Sequence, residues 1–240
     1  MQSAFYVTLS SQVALDKRLT TIAENVANSN TIGYRATGVS FEAALSKATS
    51  GTTHYVSAGT DFISRASGGL FKTDNPLDLG VVGNGWFAIQ TPQGVAYTRD
   101  GRFKMAETGE VQTLLGFAVL DAGNAPIVLD PTAGPPMIYR DGMIQQGDRQ
   151  VGALGLFQID DGATLRRGEN GSVIPSIPAT PVLNFIQNGV AQGHLENANV
   201  SGISEITRLI LAHRSFESAT AAYDLLDGSQ RTAVRTLAGG

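Results

Sequence analysis

The chain contains no cysteine. Disulfides, thiolate metal sites and cysteine nucleophiles are excluded together. Histidine is nearly as scarce, with only His54, His194 and His213, far apart and without the i, i+4 spacing that puts two ligands on one helix face. Charged residues make up 16% of the chain, with a net charge of −4 and a pI near 5.3. Binding nucleic acid requires clustered Lys and Arg to neutralise phosphates, but basic residues adjoin only at Lys17-Arg18 and Arg166-Arg167, so no nucleic-acid partner is expected. Nothing approaches the roughly 18 to 20 continuous apolar residues that span a bilayer, which predicts no direct membrane insertion. The opening residues Met1 to Val7 show no basic region, apolar stretch and cleavage site of a secretory signal. A cytoplasmic location, or export without a cleaved signal, is the expectation.

What the chain has in quantity is helical periodicity at its two ends. Leu209, Ala212, Phe216, Ala219, Tyr223, Leu226, Ala233 and Leu237 recur at steps of three and four, interrupted only at Gln230. This is the seam of a helix packed lengthwise on other helices. A single helix over 201–237 would be roughly 55 Å long at ~1.5 Å per residue, longer than a domain of this size is wide, so it needs partners. Ser201 or Asn199 is a suitable N-cap, and Glu205 suits the first turn. Asp227-Gly228 is a weak point where the helix could end or bend. Phe5, Thr8, Gln12, Leu15, Leu19, Ile22 and Val26 repeat the same 3-4 step at the other end. Asn28-Ser29-Asn30-Thr31-Ile32-Gly33 then supplies turn-forming side chains and a Gly to stop that helix.

Between the helices the period changes. From Leu70 to Phe185 short apolar runs alternate with Gly, Pro, Asn and Asp, the pattern of antiparallel β structure. The clearest strands are Val81-Val82, Trp86 to Ile89, Val95 to Thr98, Val111 to Leu115 and Phe117 to Leu120, with turns at 92–94, 100–101, 108–109 and 121–124. The predicted fold is α+β: N- and C-terminal helices packed as a coiled-coil-like pair, with a central antiparallel β-rich domain. The expected divisions are 1–34, the first helix and its closing turn; 35–70, an extended connector; 71–190, the central β domain; and 191–240, the last helix.

No motif carries credible catalysis. Gly83-Asn84-Gly85-Trp86-Phe87-Ala88 fits a G-x-G-x-x-A pattern, but a dinucleotide site needs a helix to open at the second Gly. The residues after Gly85 are aromatic and β-favouring, then broken by Pro92, which predicts a hairpin turn. Asp160-Asp161-Gly162 has the composition of a solvated turn, and no G-x-S-x-G elbow is present. Neither an enzyme nor a cofactor is expected.

The run Ala23-Glu24-Asn25-Val26-Ala27-Asn28-Ser29-Asn30-Thr31-Ile32-Gly33-Tyr34 resembles the signature that closes the first helix in the bacterial flagellar rod and hook family. Here Ile32 replaces the family's usual Pro, and Glu24 stands where many members have Asn. Two further blocks are similar to the family: Pro76 to Leu79 through Gly85-Trp86-Phe87 to Tyr97-Thr98-Arg99-Asp100-Gly101-Arg102-Phe103, and Gly193-His194-Leu195-Glu196-Asn197-Ala198-Asn199-Val200 with Arg214 to Glu217. Length, the Met1-Gln2 start and a short middle look most like a proximal rod member. The resemblance implies a structural subunit of the basal-body rod, spanning the periplasm. It implies partnership with itself, with other flagellar rod proteins and with the flagellar type III export apparatus. The terminal helices would form an inner tube around the export channel.

Assembly contacts are expected at Leu15, Leu19, Ile22 and Val26 on the first helix and at Leu209, Phe216, Tyr223 and Leu226 on the last. Asn25, Asn28 and Asn30 of the signature carry two open readings, a local helix stop or hydrogen bonds between subunits. A distal rod or hook subunit is the alternative within the family. A different class of alternative is a monomeric β-rich ligand-binding module, with Trp86, Phe87, Tyr97 and Phe103 as its platform.

Overall fold

Two long helices bracket a set of short antiparallel strands. The structure, a computed structural model, describes residues 2–41, 43–48, 51–56 and 59–238. The chain divides into two units, one of Met1–Ala27, Thr37–Phe62 and Ser201–Gly240, the other of Asn28–Ala36 and Ile63–Val200.

In the first unit, helix α1 spans Gln2–Ala27 and helix α2 spans Gly202–Ala238. The two pack on each other. They run antiparallel, because Gln12 Nε2 donates to Thr220 Oγ1 at 3.2 Å while Ile22 and Asn25 share a cleft with Glu205 and Arg208. The positions held back from solvent include Thr8, Gln12, Leu15, Leu19, Ile22 and Val26 on α1 and Leu209, Ala212, Phe216, Ala219 and Tyr223 on α2, matching the periodic stripes. The side chains of Phe5, Leu226, Ala233 and Leu237 lie outside the described residues. Hydroxyls along both helices bond back to their own backbone, as Thr21 to the Lys17 carbonyl at 2.9 Å and Thr220 to the Phe216 carbonyl at 3.0 Å. Each is satisfied without leaving its helix, so the packed faces can carry Ser and Thr at little polar cost.

Helix α2 does not break at Asp227-Gly228. The roughly 1 kcal/mol that an interior Gly costs is small against the rest of a helix this long. Asn199 does not cap it: the Asn199 side chain is committed elsewhere, accepting from Ala36 N at 2.7 Å and donating to the Ala66 carbonyl at 2.8 Å. The first intrahelical bond runs from Glu205 N to the Ser201 carbonyl.

The segment expected as an extended connector is built of paired strands. Thr37–Ser40 pairs with Thr60–Ile63, and Ala43–Ala48 pairs with Gly51–Val56 as an antiparallel hairpin. Its Ser, Thr and Gly content hides the alternation by which strands are recognised, although Thr and Val suit a pleated backbone.

The second unit holds the β core. Its main sheet, nine strands among the described residues, is organised around the strand Gly85–Thr91. That strand pairs antiparallel with Gly94–Thr98 on one edge and with Leu156–Gln158 and Ala118–Val119 on the other. Both faces are covered. Phe87 and Ile89 enter a cluster with Leu79, Val81, Phe103 and Val119, whereas Trp86 and Ala88 enter another with Tyr97, Leu120, Phe157 and Val173. A strand buried on both sides reads as a continuous apolar run, which is why residues 86–89 show no polar alternation.

The same burial overturns the ligand-platform alternative. Trp86, Phe87, Tyr97 and Phe103 are all less than a tenth exposed, and they divide between the two opposite clusters. Phe87 and Phe103 spend their faces on each other, edge to face at 5.3 Å between centroids. The Gly83-x-Gly85 motif is the turn between the strands Leu79–Val82 and Gly85–Thr91, with no helix to face a pyrophosphate.

Gly101 shows how closely this unit is packed. A Cβ there would lie 1.7 Å from the Leu79 carbonyl oxygen, while Leu79 N donates to the Gly101 carbonyl at 3.0 Å. Gly101→Ala must push these two backbones apart. We expect it to lower the unfolding free energy of the β unit by about 2–3 kcal/mol, measured by urea denaturation.

Candidate assembly interface

Two helices alone cannot cover both faces of either. On α2, Ile203, Ile206, Ile210, Leu211 and Leu225 are between 48% and 83% exposed. Ile203, Ile206 and Ile210 step by three and four, and Leu211 and Leu225 are two heptads apart, so they form an outward stripe beside the one packed on α1. On α1, Leu9 and Val13 are exposed one turn apart. Periodicity reading picked out the inward stripe and missed these residues. Counting a second stripe offset by one position on the helical wheel could have found them.

The expected interface residues fall into three groups. Ile22 is buried, and Leu15, Leu19, Val26, Leu209, Phe216 and Tyr223 are half-buried, on two helices that pack on each other, with α1 also packing on the strands Thr37–Ser40 and Gly51–Val56. Asn25 is also buried, and its side chain clasps the Thr37 backbone, donating to the carbonyl and accepting from N–H, both at 2.9 Å. Asn28 closes the turn locally, its carbonyl accepting from Thr31 N at 3.0 Å. Asn30 is exposed. The side chain of Leu226 is outside the described residues. Where the end of α1, the start of α2 and the strand Thr37–Ser40 meet, an open cleft of about 440 Å³ is walled by Ile22, Val39 and Phe41, with Arg18, Glu205 and Arg208 among its polar lining.

The second unit carries a cluster that sequence reading did not assign. Glu196 is fully buried, with one carboxylate oxygen 2.7 Å from Arg35 and the other 2.9 Å from Arg99. The first oxygen also accepts from Gly68 N at 2.7 Å, and the Glu196 backbone carbonyl accepts from Gly33 N at 2.7 Å. Both guanidiniums lie over the Trp86 ring, at 5.6 and 5.1 Å from its centroid. They spend further donors on carbonyls, Arg35 on Ala66 at 2.7 Å and Arg99 on Gly83 at 2.8 Å. Two cations share one anion here. Burial pushes Arg99 down to about 10 and the charge of Arg35 adds to this, while Glu196 opposes both. Burial lowers Arg35 as well, again opposed by Glu196.

Local geometry admits no looser arrangement. Gly33 sits at φ +68°, and a Cβ there would come within 2.4 Å of the Arg99 backbone. Two successive turns, Thr31 N to Asn28 O and Tyr34 N to Thr31 O, bring the chain round without the family's usual Pro at position 32. Arg35, Arg99 and Glu196 lie in or next to the three sequence blocks that resemble the flagellar family. Nothing local marked them as buried: Arg99, for one, stands among three charges in Arg99-Asp100-Gly101-Arg102.

Other chemistry finds no centre. His194 Nδ1 lies 2.9 Å from the Gln192 carbonyl, and His213 is on α2, 3.5 Å from Glu217; the side chain of His54 is outside the described residues. Asp160 closes its own turn by accepting from Gly162 N. Among the described residues no three His, Asp or Glu side chains are grouped to hold a metal, and no helix is long and apolar enough to cross a membrane.

Comparison with known proteins gives three matches in chain order. Residues 5–35 match the model of the flagella basal body rod protein family, residues 80–146 that of the flagellar hook protein FlgE/F/G D1 domain, and residues 191–236 that of the flagellar basal body rod FlgEFG protein C-terminal region. Each matched segment supplies one member of the Arg35, Arg99 and Glu196 triad. The chain is 45% identical to the flagellar basal-body rod protein FlgF of Mesorhizobium japonicum, over 99% of this chain and 98% of that one. It is also 45% identical to FlgF of Rhizobium meliloti, over 100% and 99%, and 33% identical to FlgF of Caulobacter vibrioides, over 99% and 98%.

Removing the carboxylate by Glu196→Ala leaves two buried guanidiniums facing each other, and we expect a loss of about 3–5 kcal/mol. Trp86 is the only tryptophan, so its fluorescence during urea unfolding reports this directly. Asn25→Ala should cost about 1–3 kcal/mol in the isolated monomer, because the Thr37 N–H and carbonyl each lose their bond to the Asn25 side chain. A purely inter-subunit role for Asn25 would leave monomer stability unchanged.

Proposed function

Since the chain belongs to the flagellar basal-body rod protein family, we propose that it polymerises through the outward faces of its terminal helices, as a proximal segment of the rod. It is a structural flagellar basal-body rod subunit and not an enzyme. The observation that carries the proposal is the apolar stripe left open on α2 at Ile203, Ile206, Ile210, Leu211 and Leu225, with Leu9 and Val13 on α1.

In this reading α1 and α2 form a coiled-coil-like pair whose inward seam is filled within the subunit, at Leu15, Leu19, Ile22 and Val26 against Leu209, Phe216 and Tyr223. Neighbouring subunits then cover the outward stripe and close a tube around the export channel. The fully buried worth of one such aliphatic side chain is ~1.5–3 kcal/mol. A contact of a few of them barely exceeds the cost of associating two free chains. In a tube each subunit meets several neighbours at once, and the contacts reinforce one another. A chain with low charge and no cysteine also suits passage through the flagellar export apparatus without a cleaved signal, followed by packing of uncharged faces. Near-complete coverage by relatives named FlgF supports the proximal position over the distal rod or hook.

Ile206 and Ile210 are half-exposed in the monomer. The double variant Ile206→Asp, Ile210→Asp should therefore change monomer stability by no more than about 1 kcal/mol. It should nonetheless abolish incorporation into basal bodies and swimming. Normal incorporation would rule out this face as the assembly surface.

A further inference from the structure

The most exposed large apolar side chain of the β unit is Leu183, at 91%, followed by Ile186, at 81%. They share one loop, residues 182–188, and that loop is held rigid. Val182 is buried with its N–H on the Leu156 carbonyl at 2.8 Å, and Phe185 packs on the main core. Arg140 Nη2 donates to the Ile186 carbonyl at 2.9 Å, Ile186 N donates to Asn184 Oδ1 at 3.0 Å, and Asn84 N donates to Asn188 Oδ1 at 2.9 Å. Two large aliphatic groups thus project on a preordered support, so burying them costs little further ordering.

The same unit has an open cleft of about 300 Å³, walled by Val128, Leu129 and Val151 and including Asp130, Gln146 and Arg149. A leucine truncated to alanine leaves roughly 150 Å³, so the cleft has room for about two such side chains. Val128 and Val151 are 55% and 39% exposed, apolar walls without a cover. Knob and cleft lie at opposite ends of one small sheet. Arg140 and Asp141 are in the turn before the strand Met143–Gln146, whereas Gln146 and Arg149 flank the turn after it. A four-residue strand separates those ends by roughly 13 Å, so the knob of a chain does not reach its own cleft. The charges are crosswise complementary: Arg140 and Asp141 beside the knob would face Asp130 and Arg149 at the cleft. The Asp130 carboxylate is held below the usual range by the Thr132 hydroxyl and N–H, so it stays charged.

We propose that Leu183 and Ile186 of one copy insert into the Val128, Leu129 and Val151 cleft of the next copy of this chain, a head-to-tail contact between β units. A contact between two different patches of one molecule propagates, giving a ring or an open helix and not a closed pair. The proposal rests on the reading that this chain polymerises in the rod, and it adds a second contact independent of the helix faces.

The absence of native cysteine makes the test clean. Full-length chain carrying Leu183→Cys and Val151→Cys is expressed in flagellated cells, and basal bodies are isolated under mild oxidation. A disulfide forms only where the two Cβ atoms approach within roughly 4.5 Å. The expected result is a ladder of multimers from the double variant, at least about tenfold above either single variant. Both sites are exposed, so folding is preserved, and Trp86 emission confirms it. Dimers from Leu183→Cys alone would overturn the proposal by revealing a symmetric contact. Incorporation of the double variant without a ladder would overturn the head-to-tail contact and leave the rod reading intact. Absence of the chain from basal bodies, with the wild type absent too, would overturn the rod reading and this contact with it.

Discussion

Glu196 is the one counter-charge for two arginines that have no access to solvent, and the β unit is built around keeping all three groups together. Desolvating a guanidinium costs several kcal/mol. Part of that is recovered from the carboxylate, itself supported by the Gly68 amide, from the carbonyls of Ala66 and Gly83, and from the face of Trp86. Arg35 Nε and Nη2 and Arg99 Nε are buried without a hydrogen-bond partner, which makes the shared carboxylate all the more necessary. Lysine could not replace either arginine. A planar fork serves a carboxylate and a carbonyl while lying over an aromatic ring, whereas an ammonium has neither the shape nor the stacking surface. Gly33 is dictated by the same constraint, because a side chain there would occupy the space of the Arg99 backbone.

The helical unit obeys the opposite economy. Several hydroxyls on its helices bond back within their own helix, and across the pair Gln12 reaches Thr220 at 3.2 Å. Directional chemistry is concentrated at a few places, among them Asn25 gripping Thr37 and Lys17 bridging to Asp61 at 3.1 Å and to the Gly59 carbonyl at 2.9 Å. These fix the strand pair 37–40 and 60–63 within the unit.

How far this was legible from sequence depends on the length scale of each signal. The helices were legible because 3-4 periodicity accumulates over twenty or more residues, and the strands around 86–98 because apolar runs there end at strong turn residues. The strands between 37 and 63 were not, since four to six residues rich in Ser and Thr carry too little alternation to register. The triad was invisible for another reason. Arg35 and Glu196 stand 161 positions apart, and nothing local distinguishes a buried Arg from a surface one. Asn199 misled in the same way: a cap-like residue in a cap-like place is spent on Ala36, Ser64 and Ala66. The exposed stripe on α2 was latent in the sequence, but the stripe beside it is apolar too and shares its spacing, and only geometry tells which of them is packed.

The separation in sequence also orders the events of folding. Arg99 comes 97 positions before Glu196, and Arg35 farther still. A chain that has not yet delivered residue 196 can bury neither arginine without leaving a charge unpaired in a low-dielectric site, which is unfavourable by several kcal/mol. Contacts of such long separation pay their loop-closure entropy before they return any energy. The apolar strands nearby can collapse earlier, but the site over Trp86 cannot close until the strand His194–Glu196 pairs with Leu70–Lys72. The β unit therefore reaches its native state only when nearly all of the chain is free to fold.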